Sequence, residues 1–496
     1  EVQRTFSGGV TVRTERDCFG REIRKSVRSG GIEQGAYRYQ WGIANRLLSK
    51  ENELTGTVTR YDYDRFDFLI RQETMQGSET DVIYRVPDFV GNLFETPDKK
   101  DRKYGAGGKL LEDPDCFYHY DDEGNLVFRE FKQLQETGVR FDRKRMEKER
   151  GIRCLATGTG WLYEWSSNGM LKKVIRPDGR LVEFRYDALG RRTAKQYFGK
   201  VTRWVWDGNV PIHEWSYKIT DMQPDEEEST PLKEPTKDIT TWVFEAGTFV
   251  PTAKIQEGKQ YSIVSDYMGT PIQMYDEQGN KIWDCTLDIY GKVFTVNKGT
   301  EFDCPFRYTG QYFDSETDLY YNRFRYYSPE IGNYISQDPI GLNGSNPTLY
   351  GYVKDVNLWI DIFGFEIIPN KAAGLERETI AKAWLQDKYP NAEILSERYL
   401  RDVDGKSVKD IDVVGGSRRR VDFVVVENGK VVGVYEVTSP TAKKTDQIEK
   451  ERIIRNKAKG GAHIKAPGRK GKLYNISDIE TVRLDVDLET KKVKHH

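Results

Sequence analysis

The chain has 496 residues, enough for two or more domains with sizeable cores. Charged residues make up 31% and hydrophobic ones 37%, and no stretch approaches the roughly 18 to 20 apolar residues of a membrane-spanning helix. Five scattered cysteines (Cys18, Cys116, Cys154, Cys285, Cys304) without CxxC spacing argue against a disulfide framework or a zinc site. The net charge of -1 conceals a division: residues 366–496 carry 27 Lys and Arg against 21 Asp and Glu, and the remainder 50 against 57. A basic end suits nucleic acid, although chance variation between domains accounts for these numbers nearly as well. The opening Glu1-Val2-Gln3-Arg4-Thr5 is no signal peptide and reads as the middle of a repeat, so a fragment of a longer protein is expected.

Along the first two thirds of the chain an aromatic residue is followed four positions later by Gly: Tyr120 and Gly124, Trp165 and Gly169, Tyr186 and Gly190, Tyr275 and Gly279. The spacings are multiples of roughly 22 residues, a repeat period. Turn sequences such as Pro177-Asp178-Gly179-Arg180, flanked by alternating runs such as Val182-Glu183-Phe184-Arg185-Tyr186, make each unit a hairpin. Aromatics at this spacing also suit a carbohydrate surface, but sheet packing is the better reading. The stretch Phe184-Arg185-Tyr186-Asp187-Ala188-Leu189-Gly190-Arg191-Arg192, and more loosely Tyr61-Asp62-Tyr63-Asp64, resembles the Rhs (YD-repeat) family. That resemblance implies a mostly β fold in which repeats coil into a hollow shell. The acidic strip at 224–231 interrupts the pattern and is expected to be an exposed loop.

A dense motif follows. Arg325-Tyr326-Tyr327-Ser328-Pro329, Gln337-Asp338-Pro339-Ile340-Gly341-Leu342, Leu349-Tyr350-Gly351-Tyr352-Val353 and Asp361-Ile362-Phe363-Gly364-Phe365 resemble the C-terminal signature of the Rhs core, with its paired DPxGL elements. In that family the segment is an aspartyl-type self-cleaving element, which implies a cut at Phe365–Glu366 with Asp338 and Asp361 as the carboxylates. Two close carboxylates share a proton, one activating water and the other polarising the scissile carbonyl. The competing reading is that both are turn-forming Asp residues. The chain departs from the signature at Ile362, at Phe365 and at Lys354-Asp355-Val356, where the family has Pro, Leu and x-Asn-Pro.

Beyond the motif the composition becomes that of an ordinary α/β domain. Leu375, Ile380, Ala381, Trp384, Leu385 and Tyr389 share one face of a helix that Pro390 stops, and Glu378 falls inside that apolar arc. Two apolar runs around Asn428-Gly429 make a hairpin, each with one acid, Asp422 and Glu436. About six or seven residues separate each acid from the turn, so they are near cross-strand partners and able to share a divalent cation with oxygen ligands. A charged helix is expected over 445–456 and further strands over 462–483. Helix Glu, strand Asp, hairpin, strand Glu-x-x and helix, in that order, resemble the PD-(D/E)XK nuclease fold and the restriction-endonuclease-like toxins at the ends of Rhs proteins. Thr438 stands where that fold has the E-x-K lysine, which leaves Lys443, Lys444 and Gln447 as replacements. The run 443–472, with 11 Lys and Arg against three acids, suits phosphate contact or a solvated helix face.

These readings divide the chain into a β shell fragment (1–324), a self-cleavage segment (325–365) and a nuclease toxin domain (366–496). The resemblances imply a secreted interbacterial effector, delivered by a type VI-like spike and acting in the target cell's cytoplasm. Its encapsulated C-terminal domain would be freed by autoproteolysis to hydrolyse DNA with Mg²⁺ or another divalent cation on Asp422, Glu436 and Glu378. The implied partners are nucleic acid, a cognate immunity protein, the N-terminal remainder of the shell and the secretion spike. An RNA-cleaving toxin or a non-catalytic binding domain are the alternatives.

Overall fold

The computed structural model describes residues 2–136, 138–222, 234–344, 348–365, 367–369, 371–408, 420–438, 445–466, 471–486 and 492–495. The chain separates into two compact units, Glu1–Arg16 with Glu22–Ile368 and Asp17–Arg21 with Pro369–His496. The expected loop at 224–231 lies outside the described residues. Among the described residues no helix is long and apolar enough to cross a membrane.

Among the described residues the first unit is β apart from one short α-helix, Arg143–Arg150, and a few 3-10 turns. Eight strands from Val2–Thr5 to Glu79–Tyr84 form one sheet, and sixteen from Lys103–Tyr104 to Val293–Lys298 form another. Every strand in both pairs antiparallel with its neighbour in sequence, the topology that successive hairpins produce.

One local device recurs at the turns. At Asp64, Asp88, Asp187, Asp266, Asp276 and Asp288 the carboxylate Oδ1 accepts from the backbone N–H groups two and four residues on. At Asp187 the main chain closes the same turn, with Gly190 N–H donating to Asp187 O (3.0 Å). Gly190 has φ +73°, a conformation costly to any residue with a Cβ, which is why Gly recurs three positions after the Asp. The aromatic before the Asp reaches back to the previous hairpin: Tyr186 Oη donates to Leu171 O (2.7 Å) and Tyr63 Oη to Leu47 O (3.0 Å). At Tyr63-Asp64 and Tyr186-Asp187 the pair thus ties the turn both within itself and to the unit before it.

A four-stranded meander, Tyr312–Asp314, Leu319–Asn322, Arg325–Ser328 and Asn333–Tyr334, joins the cores of this unit. Strand alternation sends Tyr321 and Tyr326 into one apolar cluster, with Leu126, Tyr163 and Phe184, and Tyr320 and Tyr327 into another, with Leu69, Tyr290 and Tyr352.

The second unit is a five-stranded sheet in the order Glu393–Tyr399, Arg420–Glu427, Lys430–Thr438, Thr481–Val486, Val493–His495. Its one parallel pair, Lys430–Thr438 with Thr481–Val486, encloses the helix Thr445–Lys457 in its crossover. The expected hairpin turns at Asn428 (φ 50°) and Gly429 (φ 76°), both left-handed as a two-residue Asn-Gly turn requires. The helix Lys371–Lys388 starts four residues earlier than expected and packs Ala381 and Leu385 against Phe423, Val425, Tyr435 and Val437. The other face of the sheet, Val424, Val426 and Val434, covers Ile454 of the second helix.

Replacing Asp187 with Ala should leave two turn N–H groups and Arg191 without their acceptor. The expected loss is on the order of 1–3 kcal/mol, read as a lower urea midpoint with an unchanged slope.

Candidate functional site

Asp338 and Asp361 converge on one buried cation. Asp338 opens the turn after the meander, where its Oδ1 accepts from Ile340 N–H (2.9 Å). Asp361 ends the strand Trp359–Asp361, and its Oδ1 accepts from Gly364 N–H (2.8 Å) and Phe365 N–H (3.1 Å). Both other carboxylate oxygens face Arg325 Nη2, Asp338 at 3.0 Å and Asp361 at 3.3 Å. Arg325 is 1% exposed, and it also donates through Nη1 to Leu349 O and through Nε to Gly364 O. The Tyr334 ring lies 3.7 Å beneath the guanidinium, and Tyr334 Oη donates to Asp361 Oδ2 (2.9 Å). Asn322 Nδ2 donates to Asp361 O (2.8 Å).

A guanidinium in this position loses its hydration, at an effective cost of several kcal/mol unless carboxylates and carbonyls replace the water. The same cation faces both carboxylates and offsets their mutual repulsion. Burial pushes the Asp338 carboxyl upward, Arg325 and the Ile340 N–H oppose that, and the Asp361 charge adds to it. Tyr334, the Gly364 and Phe365 N–H groups and Arg325 all donate to Asp361's carboxylate, as they can to an ionised group. Asp361 is therefore a turn residue whose other carboxylate oxygen faces the same cation as Asp338. Gly364 (φ +72°) lets the loop close on the meander, because a Cβ there would lie 2.5 Å from Asn322 O. Arg325, Tyr334 and Asn322 were not singled out from sequence, although a cation within the aromatic strand Arg325–Ser328 was a usable sign of a buried charge.

In the second unit, Asp422 and Glu436 sit one residue beyond the cross-strand pair Phe423 and Tyr435, on adjacent strands. By alternation both lie on the face of Val424 and Val434, opposite the one that packs the helix Lys371–Lys388. Asp422 Oδ2 accepts from Val437 N–H (2.8 Å), and Glu436 is 7% exposed. Glu436 is in register with Arg483 and Thr438 with Asp485 on the parallel strand, and Arg483 Nε donates to Asp485 (2.5 Å). Sequence reading passed over Arg483 and Asp485, which topology alone brings alongside the acids. The side chains of Glu378 and Gln447, and all of Lys443 and Lys444, lie outside the described residues. Two neighbouring carboxylates suit Mg²⁺, which takes one or two carboxylates and keeps several waters. Among the described residues no group of three or more His, Cys, Asp or Glu could hold a metal ion.

The Teneurin YD-shell family model matches residues 10–350. The chain is 29% identical over 389 residues to double-stranded DNA deaminase toxin A of Burkholderia cenocepacia (strain H111), covering 73% of this chain and 25% of that protein. It is 26% identical over 411 residues to the probable deoxyribonuclease RhsA of Dickeya dadantii (strain 3937), covering 76% and 26%. The chain thus spans about a quarter of the length of these relatives. Among solved structures, TcdB2-TccC3 aligns with a TM-score of 0.34 at 20% identity over 72% of this chain and 21% of that one.

One departure from the Rhs signature has a thermodynamic consequence. Asp355, in place of the signature's Asn, is 2% exposed, and its Oδ1 accepts from Asn357 N–H (2.9 Å). Burial pushes its carboxyl up to about 7, against the opposing Asn357 N–H, Arg85 and Lys354. An unfolded Asp gives up its proton near pH ~4. The stability that the folded carboxyl gains by keeping its proton is therefore fully present below pH ~4 and is lost as pH rises through about 7. Asp355→Asn should match the wild type at pH 4 and exceed it at pH 8 by on the order of 3 kcal/mol, measured as urea midpoints at the two pH values.

Proposed function

The chain belongs to the Teneurin YD-shell family, and we propose that it is the C-terminal part of an Rhs toxin effector that cuts itself at Phe365–Glu366 and carries a metal-dependent nuclease. The observation that carries the first half is the meeting of Asp338 and Asp361 on Arg325, beside a loop whose Gly364 and Phe365 N–H groups Asp361 holds. Asp338, pushed upward by burial, is the member of the pair suited to carry the proton, and Asp361, surrounded by donors, is the ionised member. The proposed step is hydrolysis: Asp361 takes a proton from the attacking water and Asp338 donates to the scissile carbonyl; Asp361 then passes its proton to the Glu366 nitrogen, which leaves as the amine, while Asp338 recovers its proton as the tetrahedral diol collapses. Arg325 limits the charge that builds up as the protons move.

The second half rests on Asp422 and Glu436 standing side by side on the sheet. These residues would hold Mg²⁺, which when bound supplies Lewis-acid activation of water and neutralises charge on the phosphodiester. Glu378 and Gln447 would complete the site, with Lys443 or Lys444 in place of the lysine that Thr438 replaces. Two relatives are named for DNA chemistry, a deaminase and a deoxyribonuclease, which supports DNA as the substrate. In this reading the effector is secreted, acts in the cytoplasm of the target cell and is neutralised in the producer by an immunity protein.

Cleavage should yield a fragment of 131 residues by intact mass. Asp338→Asn and Asp361→Asn should each reduce cleavage at least a hundredfold, and unchanged cleavage in both would end the aspartyl assignment. For the nuclease, Asp422→Asn and Glu436→Gln should each abolish Mg²⁺-dependent nicking of plasmid DNA while the melting temperature stays within a few degrees of wild type. Cleavage of total RNA but not plasmid would favour the RNA reading. Full activity in Glu436→Gln would remove the metal site.

A further inference from the structure

Arg323 is a buried cation for which no counter-ion is described. It is 8% exposed and makes one hydrogen bond, from Nη2 to Leu189 O (2.9 Å), while its Nε and Nη1, both buried, have no partner among the described residues. It occupies the hairpin turn between Leu319–Asn322 and Arg325–Ser328 with φ 60°, a conformation few side chains adopt without cause. Asp187, the acid that acts on it electrostatically, is bonded to Arg191. Burying a cation without a counter-charge is costly, so the position is suited to receive an anion.

The surroundings identify which anion. Arg323 shares an aromatic cleft with Trp206, Phe249, Ile362 and Phe363. Its guanidinium lies 5.6 Å from the Trp206 ring and 5.4 Å from the Phe324 ring. The Phe365 ring packs on two of these aromatics, 5.2 Å from Phe324 and stacked 5.8 Å from Phe363. Phe324 N–H also donates to Phe363 O (3.2 Å), so the loop 361–365 is seated on the very turn that presents Arg323. Hydrolysis at Phe365–Glu366 adds water across one C–N bond: the carbonyl carbon gains the oxygen, the Glu366 nitrogen gains a proton, and Phe365 becomes a carboxylate. The reaction thus creates one new anion on a residue whose ring packs against Phe324, the turn neighbour of Arg323.

We propose that Arg323 is the receiving site for the new C-terminal carboxylate of Phe365, which it holds against the aromatic cleft once the bond is cut. This rests on the self-cleavage reading and assigns a fate to its product. Capture keeps the carboxylate from the Glu366 amine and so disfavours religation. It also keeps the end of the first unit folded on the meander. Arg323 takes no part in the cleavage step itself.

The test uses the full chain. Intact mass first establishes that the wild type is cut. The native cleaved protein is then incubated with carboxypeptidase A, which removes aromatic C-terminal residues, and loss of Phe365 is followed by mass. Wild type and Arg323→Lys should retain Phe365, whereas Arg323→Met, cut to the same extent, should lose it at least tenfold faster. Loss of Phe365 from wild type at the rate seen in urea would overturn the proposal without any variant, and so would equal protection in Arg323→Met. A wild-type chain that stays at full mass would overturn both the proposal and the cleavage reading, and it would be recognised before any carboxypeptidase is added.

Discussion

The junction depends on a single buried charge. Arg325 cannot be dehydrated alone, so every group that faces it is committed: Asp338 from one turn, Asp361 from another, and the carbonyls of Leu349 and Gly364. One guanidinium thus gathers the turn at Asp338, the carbonyl of Leu349 and the loop from Asp361 to Gly364 around itself. The cost of burying the ion is offset only while all of its partners stay in place. That requirement positions the loop 361–365 more tightly than apolar packing of Phe363 and Phe365 would.

The same logic of local polar closure runs through the first unit at lower stakes. Each Asp-capped turn satisfies its own N–H groups, and several aromatics anchor to a carbonyl of an earlier hairpin, as Tyr186 does to Leu171 and Trp206 to Arg192. Long antiparallel sheets can then be extended hairpin by hairpin, because no unit relies on distant pairing to define its register. Distant contacts join the two sheets directly, as between Ser29 and Gly279, and through the meander, whose alternating tyrosines join two clusters.

What the sequence made legible followed from period. Hairpins at Tyr186-Asp187 and Tyr275-Asp276, the Asn428-Gly429 turn and the helix ending before Pro390 are all set by short-range chemistry, and the mostly β fold follows from them. The pairing of Asp338 with Asp361 was readable only through resemblance, because nothing local links residues 23 positions apart. Arg325 was hidden for the same reason: its partners come from three separate turns, and residue type does not say which cation is buried. Arg483 and Asp485 were missed because a parallel crossover, which local patterns do not encode, lays their strand beside Glu436 and Thr438.

The central claim is that water, positioned by the carboxylates gathered on Arg325, opens the Phe365–Glu366 bond. Cleavage in water enriched in oxygen-18, followed by peptide mapping, tests it most directly. The account predicts one labelled oxygen in the Phe365 carboxylate and none in Asp338 or Asp361. Label in either aspartate would show that a side chain attacked the peptide and was itself hydrolysed, and would contradict the account.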